Sequence, residues 1–332
     1  MLSRVADNLY WMSRYLERAE HTARLVDVCL SHLLDQKSEY TMQRWNRLCD
    51  SLRIPHPDEE VDDTYSVTKA LTFDATNSSS IISCIAAARD NAQQVRERIS
   101  SEMWEQLNRL FLYIKRTSIE DMWFSERHEF LAQIKEGVQL FQGLTDASML
   151  HDEGWHFIRV GRFLERAWAT AANLDVHFLT ASQAKEEGTD AVQSDHLDYL
   201  EWVSLLHSCG AFEVYCKVYT AADIHSHRIA EFLLLNAESP RSIRFAATMI
   251  HSALQALARA RSARHTSRVE RLAGRMLAAL DYDQIEDVID ENIHSYLENI
   301  QKQCTHIHSA IYQTYIFYPI DAAVISERTA QS

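Results

Sequence analysis

Glycine and proline are nearly missing from this chain of 332 residues, at seven and four, where average usage would bring roughly 23 and 17. Tight turns depend on those residues, so a loop-rich or strand-rich architecture is disfavoured and long helices with short connections are favoured. Alternating β-branched runs are scarce as well. These absences predict an all-α fold. The six cysteines (29, 49, 84, 209, 216 and 304) form no Cys-x-x-Cys and no zinc spacing; each lies in an apolar, helix-like stretch, where a free thiol behaves as a small core residue. No uninterrupted apolar run approaches the ~20 residues that span a bilayer, and the first eight residues lack the apolar stretch of a signal peptide. A cytoplasmic chain with no membrane partner is expected. Gly-x-Ser-x-Gly, a local cysteine-protease signature and a glycine-rich phosphate loop are all lacking, which argues against those hydrolase classes and against autonomous ATP chemistry. A net charge of −14 repels phosphates and disfavours nucleic acid as a general partner.

What the chain does have is a repeat. Arg14-Tyr15-Leu16-Glu17-Arg18-Ala19 returns 148 positions later as Arg162-Phe163-Leu164-Glu165-Arg166-Ala167, and nine of fifteen positions are identical between residues 14–28 and 162–176. A weaker match, at an offset of 162, aligns Leu71-Thr72-Phe73-Asp74 … Ser80-Ile81 with Leu233-Leu234-Leu235-Asn236 … Ser242-Ile243. A long-period repeat implies one unit used twice, each copy covering the other's apolar face. The expected architecture is a single-domain multi-helix bundle over 1–332, built from two related halves about a pseudo-twofold: 1–148, then 149–318, with a tail at 319–332.

Apolar periodicity predicts helices over 2–34, 39–52, 66–73, 79–100, 102–116, 122–141, 155–179, 196–219, 223–235, 240–280 and 283–315. Surface loops are expected at 58–63 and 180–195, and a break between Gly143 and Gly154. Ser239-Pro240 reads as an N-cap followed by proline at the first helical position, and Gly274 as a candidate break in the 240–280 helix.

Arg14, Glu17 and Arg18 are spaced so that one carboxylate can bridge two guanidinium groups on one helical face, and Arg162, Glu165 and Arg166 repeat the trio. Desolvated Arg–Glu pairs are costly unless fully hydrogen-bonded. Two readings stay open: internal ion pairs that set helix register, or a cleft whose arginines hold a carboxylate or phosphate. Arg261, Arg264, Arg268, Arg271 and Arg275 follow steps of 3 and 4, a stripe on one helix. It reads either as a solvated face balanced by the protein's own acids or as a docking strip for an acidic partner. No metal or cofactor is expected. Glu291-x-x-His294 has the spacing of di-iron bundles, which also need a second such motif and two more bridging carboxylates.

At these motifs the chain resembles the bacterial Alpha-E family. The matching tracts are residues 9–19 and 154–167, Asn77-Ser78-Ser79-Ser80-Ile81, Ala88-Arg89-Asp90-Asn91-Ala92, residues 102–108 and Ser239-Pro240-Arg241-Ser242-Ile243, in family order. Ser78 departs from the pattern, since relatives commonly carry proline there. The resemblance implies an all-helical cytoplasmic protein with no assigned activity and no established catalytic residues. Its relatives are typically encoded beside an ATP-grasp ligase and a transglutaminase-like cysteine peptidase. From this we expect a non-catalytic helical accessory protein that binds one of those enzymes or an acidic peptide or phosphate ligand. The alternative is an enzyme acting on a peptide or amide in a cleft lined by Glu17, Glu165 and the four arginines. A carboxylate held between arginines has a depressed pKa and is a poor general base, which places this second.

Overall fold

Serine hydroxyls set where several helices begin. Ser80, Ser100, Ser242 and Ser267 each accept a hydrogen bond from the backbone N–H three residues on, and Glu270 returns the favour to Ser267 in a capping box. The computed structural model describes residues 1–31, 38–56, 64–124, 127–186, 191–219, 223–261 and 266–316. Among them run fourteen α-helices and no strand: α1 Ser3–Ser31, α2 Ser38–Leu52, α3 Thr64–Thr72, α4 Ile81–Gln94, α5 Ser101–Arg116, α6 Ile119–Phe124, α7 Arg127–Ser148, α8 Glu153–Glu186, α9 Ala191–Ser208, α10 Phe212–Val218, α11 Ser226–Leu235, α12 Ile243–Ala260, α13 Arg268–Tyr282 and α14 Ile285–Ile311. A π-helical turn, Tyr312–Ile316, follows α14. The expected loop at 58–63 and the tail at 319–332 lie outside the described residues.

The two Glu-Arg tracts belong to α1 and α8, the two longest helices, which pack directly against each other at the centre. Helices α4 and α7 cover α1, while α12, α14 and α2 cover α8. Repeated positions carry equivalent burial: Leu16 and Leu164, Ala19 and Ala167, and Ala23 and Ala171 are all buried in one continuous core. The second match is reproduced in detail as well. The Ser80 hydroxyl donates to the Asp74 carbonyl before α4, and the Ser242 hydroxyl donates to the Asn236 carbonyl before α12.

Gly161 permits the central approach. A Cβ added there would lie 2.3 Å from the Tyr10 carbonyl oxygen and 2.3 Å from the Ser13 Oγ, closer than any real carbon–oxygen contact.

Several expected boundaries need correction. Ser239 does not cap a helix. The segment turns there instead, with Ser242 N–H bonded to the Ser239 carbonyl, and α12 starts at Ile243. The Pro240 carbonyl is thereby left free to accept from Arg166. Within the predicted 240–280 helix, α12 ends at Ala260 and α13 starts at Arg268, where the Ser267 capping box begins a new helix. Gly274 sits inside α13 rather than breaking it. Gly143 likewise falls inside α7, and the gap before α8 is only residues 149–152. Residues 180–186, expected as loop, continue α8, and the segment 122–141 is α6 plus α7. The predicted 196–219 helix divides at Gly210, whose φ of +64° is a left-handed turn that suits glycine.

Candidate functional site

Each glutamate of the repeat pairs across the helix crossing, not along its own helix. Glu165 accepts from Arg14 Nε and Arg18 Nε, both at 2.6 Å. Glu17 accepts from Arg166 through Nε at 2.5 Å and Nη2 at 2.8 Å, with Arg162 Nε 3.9 Å away. All six residues singled out by the repeat therefore converge. The expected bridging within one helix is replaced by a reciprocal exchange between two. Both spacings suit a helical face; packing decides, because burying Glu17 and Glu165 to 2 % exposure requires donors from the helix that covers them.

Further residues join this lattice that the sequence reading did not assign. Arg241 reaches Glu20 (Nη2, 2.6 Å) and Glu17 (Nη1, 3.5 Å). Arg24 donates to Glu20 at 2.7 Å, and Gln142 and Gln139 of α7 donate to Glu17 and Glu20 at 3.1 and 3.3 Å. Arg14 extends through Nη1 to the Tyr10 hydroxyl and His308 Nδ1, both at 3.3 Å. The one available signal was Arg241 itself, inside the quoted Ser-Pro-Arg-Ser tract; Glu20 and Arg24 carry no mark beyond their place on α1.

Charge does not balance at this crossing. Six guanidinium groups (Arg14, Arg18, Arg24, Arg162, Arg166, Arg241) meet three carboxylates (Glu17, Glu20, Glu165). The arginines flanking Glu165 and Glu20 outweigh the cost of burying them and hold both carboxyls well below the usual range, so each is a weak base. Arg162 is the incompletely paired member. Its Nε is sealed from solvent with no hydrogen-bond partner, and burial, reinforced by neighbouring Arg166, pushes its guanidinium down to about 10. It lines a space of about 20 Å³ with Ser13, Gln142 and Asp146, room for about one water.

On the other side lies a larger cavity, about 230 Å³, lined by Arg14, Arg18, His21, Leu52, Ser79, Glu165, Trp168 and Ala169. His21 Nε2 is buried without a hydrogen-bond partner. Burial, helped by Arg241 and Arg24 and opposed by Glu17 and Glu165, pushes the His21 imidazole down to about 4. His177, half-buried on α8 near Arg47, is also pushed down by desolvation to about 4.

A pH dependence follows from those two histidines. Each stays neutral in the folded chain while its unfolded counterpart gains a proton below about 6.5, so stability falls as pH drops from 6.5 towards 4. Each contributes up to about 1.4 kcal/mol per pH unit. Below that window the loss passes to the carboxylates with depressed pKa: Glu20, Glu165 and the Arg47/Arg44-paired Glu201. Urea midpoints measured between pH 7 and 4 should fall continuously, and His21→Gln should flatten the upper part of the slope by about one proton's worth.

The arginine stripe is reorganised. Arg261 caps α12, whereas Arg268, Arg271 and Arg275 lie on α13, so the residues do not share one helix; Arg264 is outside the described residues. Arg261 donates to the Thr314 carbonyl and sits 4.5 Å over the Tyr315 ring; Arg268 donates to Gln313, and Arg271 to the Thr266 carbonyl. All four are exposed, and among the described residues none pairs with a carboxylate.

Other candidate chemistries find less support. Burial pushes the Cys49 and Cys209 thiols up to about 11 and those of Cys29, Cys84 and Cys304 to about 12, which suppresses thiolate. Glu291 and His294 straddle Asn292, whose φ of 152° kinks α14, and His294 Nδ1 lies 2.6 Å from Asp175 of α8. Among the described residues no three His, Cys, Asp or Glu side chains gather as metal ligands, and no helix is long and apolar enough to cross a membrane.

Comparison with known proteins places these residues in a wider set. The family model of Alpha-E, a predicted α-helical domain with a conserved ER motif, matches residues 1–316. Glu17-Arg18 and Glu165-Arg166 are two such pairs in this chain. Uncharacterized proteins of Mycobacterium tuberculosis and Mycobacterium bovis are each 23% identical over 93% of this chain. The match spans only 35% of their length. No solved structure matches.

Proposed function

The chain belongs to the Alpha-E family, and from that premise we propose that it is a non-catalytic accessory domain that holds an anionic group of a protein partner. The partner class is the ATP-grasp ligase or transglutaminase-like peptidase that the resemblance implies, acting in the cytoplasm on a peptide or amide. Residues 1–148 and 149–318 form its two copies about a pseudo-twofold. The observation that carries the proposal is the surplus of guanidinium at the α1–α8 crossing: six cations against three acids in a protein whose net charge is −14. Such a surplus is stabilised by an incoming anion. The exposed arginines of α13 offer a second acidic-partner surface.

The enzyme alternative is weaker because the glutamates it needs as bases are held ionised by arginine. The size of the relatives fits an accessory role, since the matched segment is about a third of a longer polypeptide.

Mixing the purified chain with purified ATP-grasp ligase and transglutaminase-like peptidase from its own genome tests the proposal by size-exclusion chromatography. A co-eluting complex that weakens with salt, and at least tenfold with Arg268→Glu plus Arg271→Glu, is the expected result. Failure of both enzymes to co-elute at low salt contradicts it.

A further inference from the structure

The two copies of the crossing are not filled alike, and beside Glu165 the difference leaves a hole. At the 148-residue offset Glu20 and His21 correspond to Trp168 and Ala169; at the 162-residue offset Arg241 corresponds to Ser79. Around Glu17 the site is filled from within, because Arg241 enters and bonds Glu17 and Glu20. Around Glu165 the equivalent long side chains are replaced by Ser79 and Ala169, and the cavity of about 230 Å³ opens between them, bordered by Trp168. Arg14 and Arg18 face it with their Nε groups committed to Glu165. Arg18 reaches Glu165 through Nε and its side chain is 26% exposed, and His21 Nε2 is buried without a hydrogen-bond partner. Leu52, Trp168 and Ala169 supply the apolar part of the cavity lining.

We propose that this cavity is a binding subsite for a carboxylate carried on a short aliphatic stem, such as an acidic amino-acid residue. The carboxylate sits at Arg18 and Arg14, within reach of Ser79 and His21, and the stem lies against Trp168 and Leu52. A planar carboxylate matches the guanidinium edge. The stem gives the apolar lining a partner that inorganic phosphate lacks. Glu165 also lines the cavity and repels a dianion concentrated at one point, such as hydrogen phosphate, more than a single carboxylate whose molecule carries any second charge further along the stem. The inference rests on the anion-holding reading above and names its ligand class.

Isothermal titration of the whole chain with N-acetyl-glutamate, and separately with inorganic phosphate at matched ionic strength, tests it. N-acetyl-glutamate is expected to bind saturably and at least tenfold more tightly than phosphate. Ser79→Arg places the twin site's side chain in the cavity and should reduce that affinity at least tenfold with no loss of melting temperature. Arg18→Gln should reduce it similarly. Because Arg18→Gln also disturbs the lattice, Ser79→Arg decides the matter even where Arg18→Gln fails to fold. No binding of N-acetyl-glutamate, a preference for phosphate, or wild-type affinity in Ser79→Arg overturns the assignment. Enzyme co-elution measured on the wild-type chain separates the two readings: complex formation without N-acetyl-glutamate binding removes only the subsite, whereas N-acetyl-glutamate binding without a complex removes only the partnership.

Discussion

Glu165→Gln is expected to destabilise the chain by about 3–5 kcal/mol, read as a fall in the urea midpoint, because it strips from two largely buried guanidinium groups the one carboxylate they pair with among the described residues. Arg14 and Arg18 both donate to Glu165 through Nε, and their side chains are 13% and 26% exposed. Glutamine preserves the shape and can accept a hydrogen bond, so the loss isolates charge rather than packing. The exposed Lys302–Glu298 pair, an i,i+4 contact on α14, supplies the contrast: Lys302→Gln should leave the midpoint where it was, since solvent and salt screen such pairs. Equal effects of the two substitutions would mean that Glu165 is solvated and the crossing is not a desolvated lattice.

Gly161→Ala should be comparably damaging, by about 3 kcal/mol or more, although alanine is the better helix former by about 1 kcal/mol. The new methyl would enter the space of the Tyr10 carbonyl and the Ser13 hydroxyl. The hydroxyl can rotate away, but the carbonyl belongs to the α1 backbone, so α1 and α8 must separate and lengthen the Glu–Arg bonds. Adding Ser13→Gly is therefore expected to restore little. Gly143→Ala gives the opposite sign: nothing lies within 4 Å of its added Cβ, and the substitution should stabilise by up to about 1 kcal/mol. Melting temperatures of the three variants check the set, and a neutral Gly161→Ala would show that the helices do not approach as described.

Helix type and the meeting of the two Glu-Arg tracts were legible because both rest on strong periodic signals: sparse glycine and proline, and a repeat whose buried members recur at matching positions. The partner of each glutamate was not. Spacings of three and four fit an intrahelical bridge as well as they fit a row of donors for a facing helix, and only burial distinguishes them. Arg241 reaches Glu17 and Glu20 across more than two hundred residues, a separation that local pattern cannot bridge without the packed structure. The stripe from Arg261 to Arg275 misled for a related reason. Its regular spacing outweighed the Ser267-x-x-Glu270 capping box, a helix-start signal present in the sequence and realised in the structure. At Gly143 the error ran the other way: a solvent-facing helix tolerates glycine at a modest cost.

A double-mutant cycle on Glu165 and Arg18, using Glu165→Gln, Arg18→Met and the double variant, measures the crossing most directly, because it isolates their pairwise coupling from the packing each side chain provides. Mutually dependent burial predicts a coupling of about 1.5 kcal/mol or more, with the double variant more stable than the sum of the single losses implies. A coupling below about 0.5 kcal/mol, the range of distant or solvated sites, would contradict the reciprocal lattice.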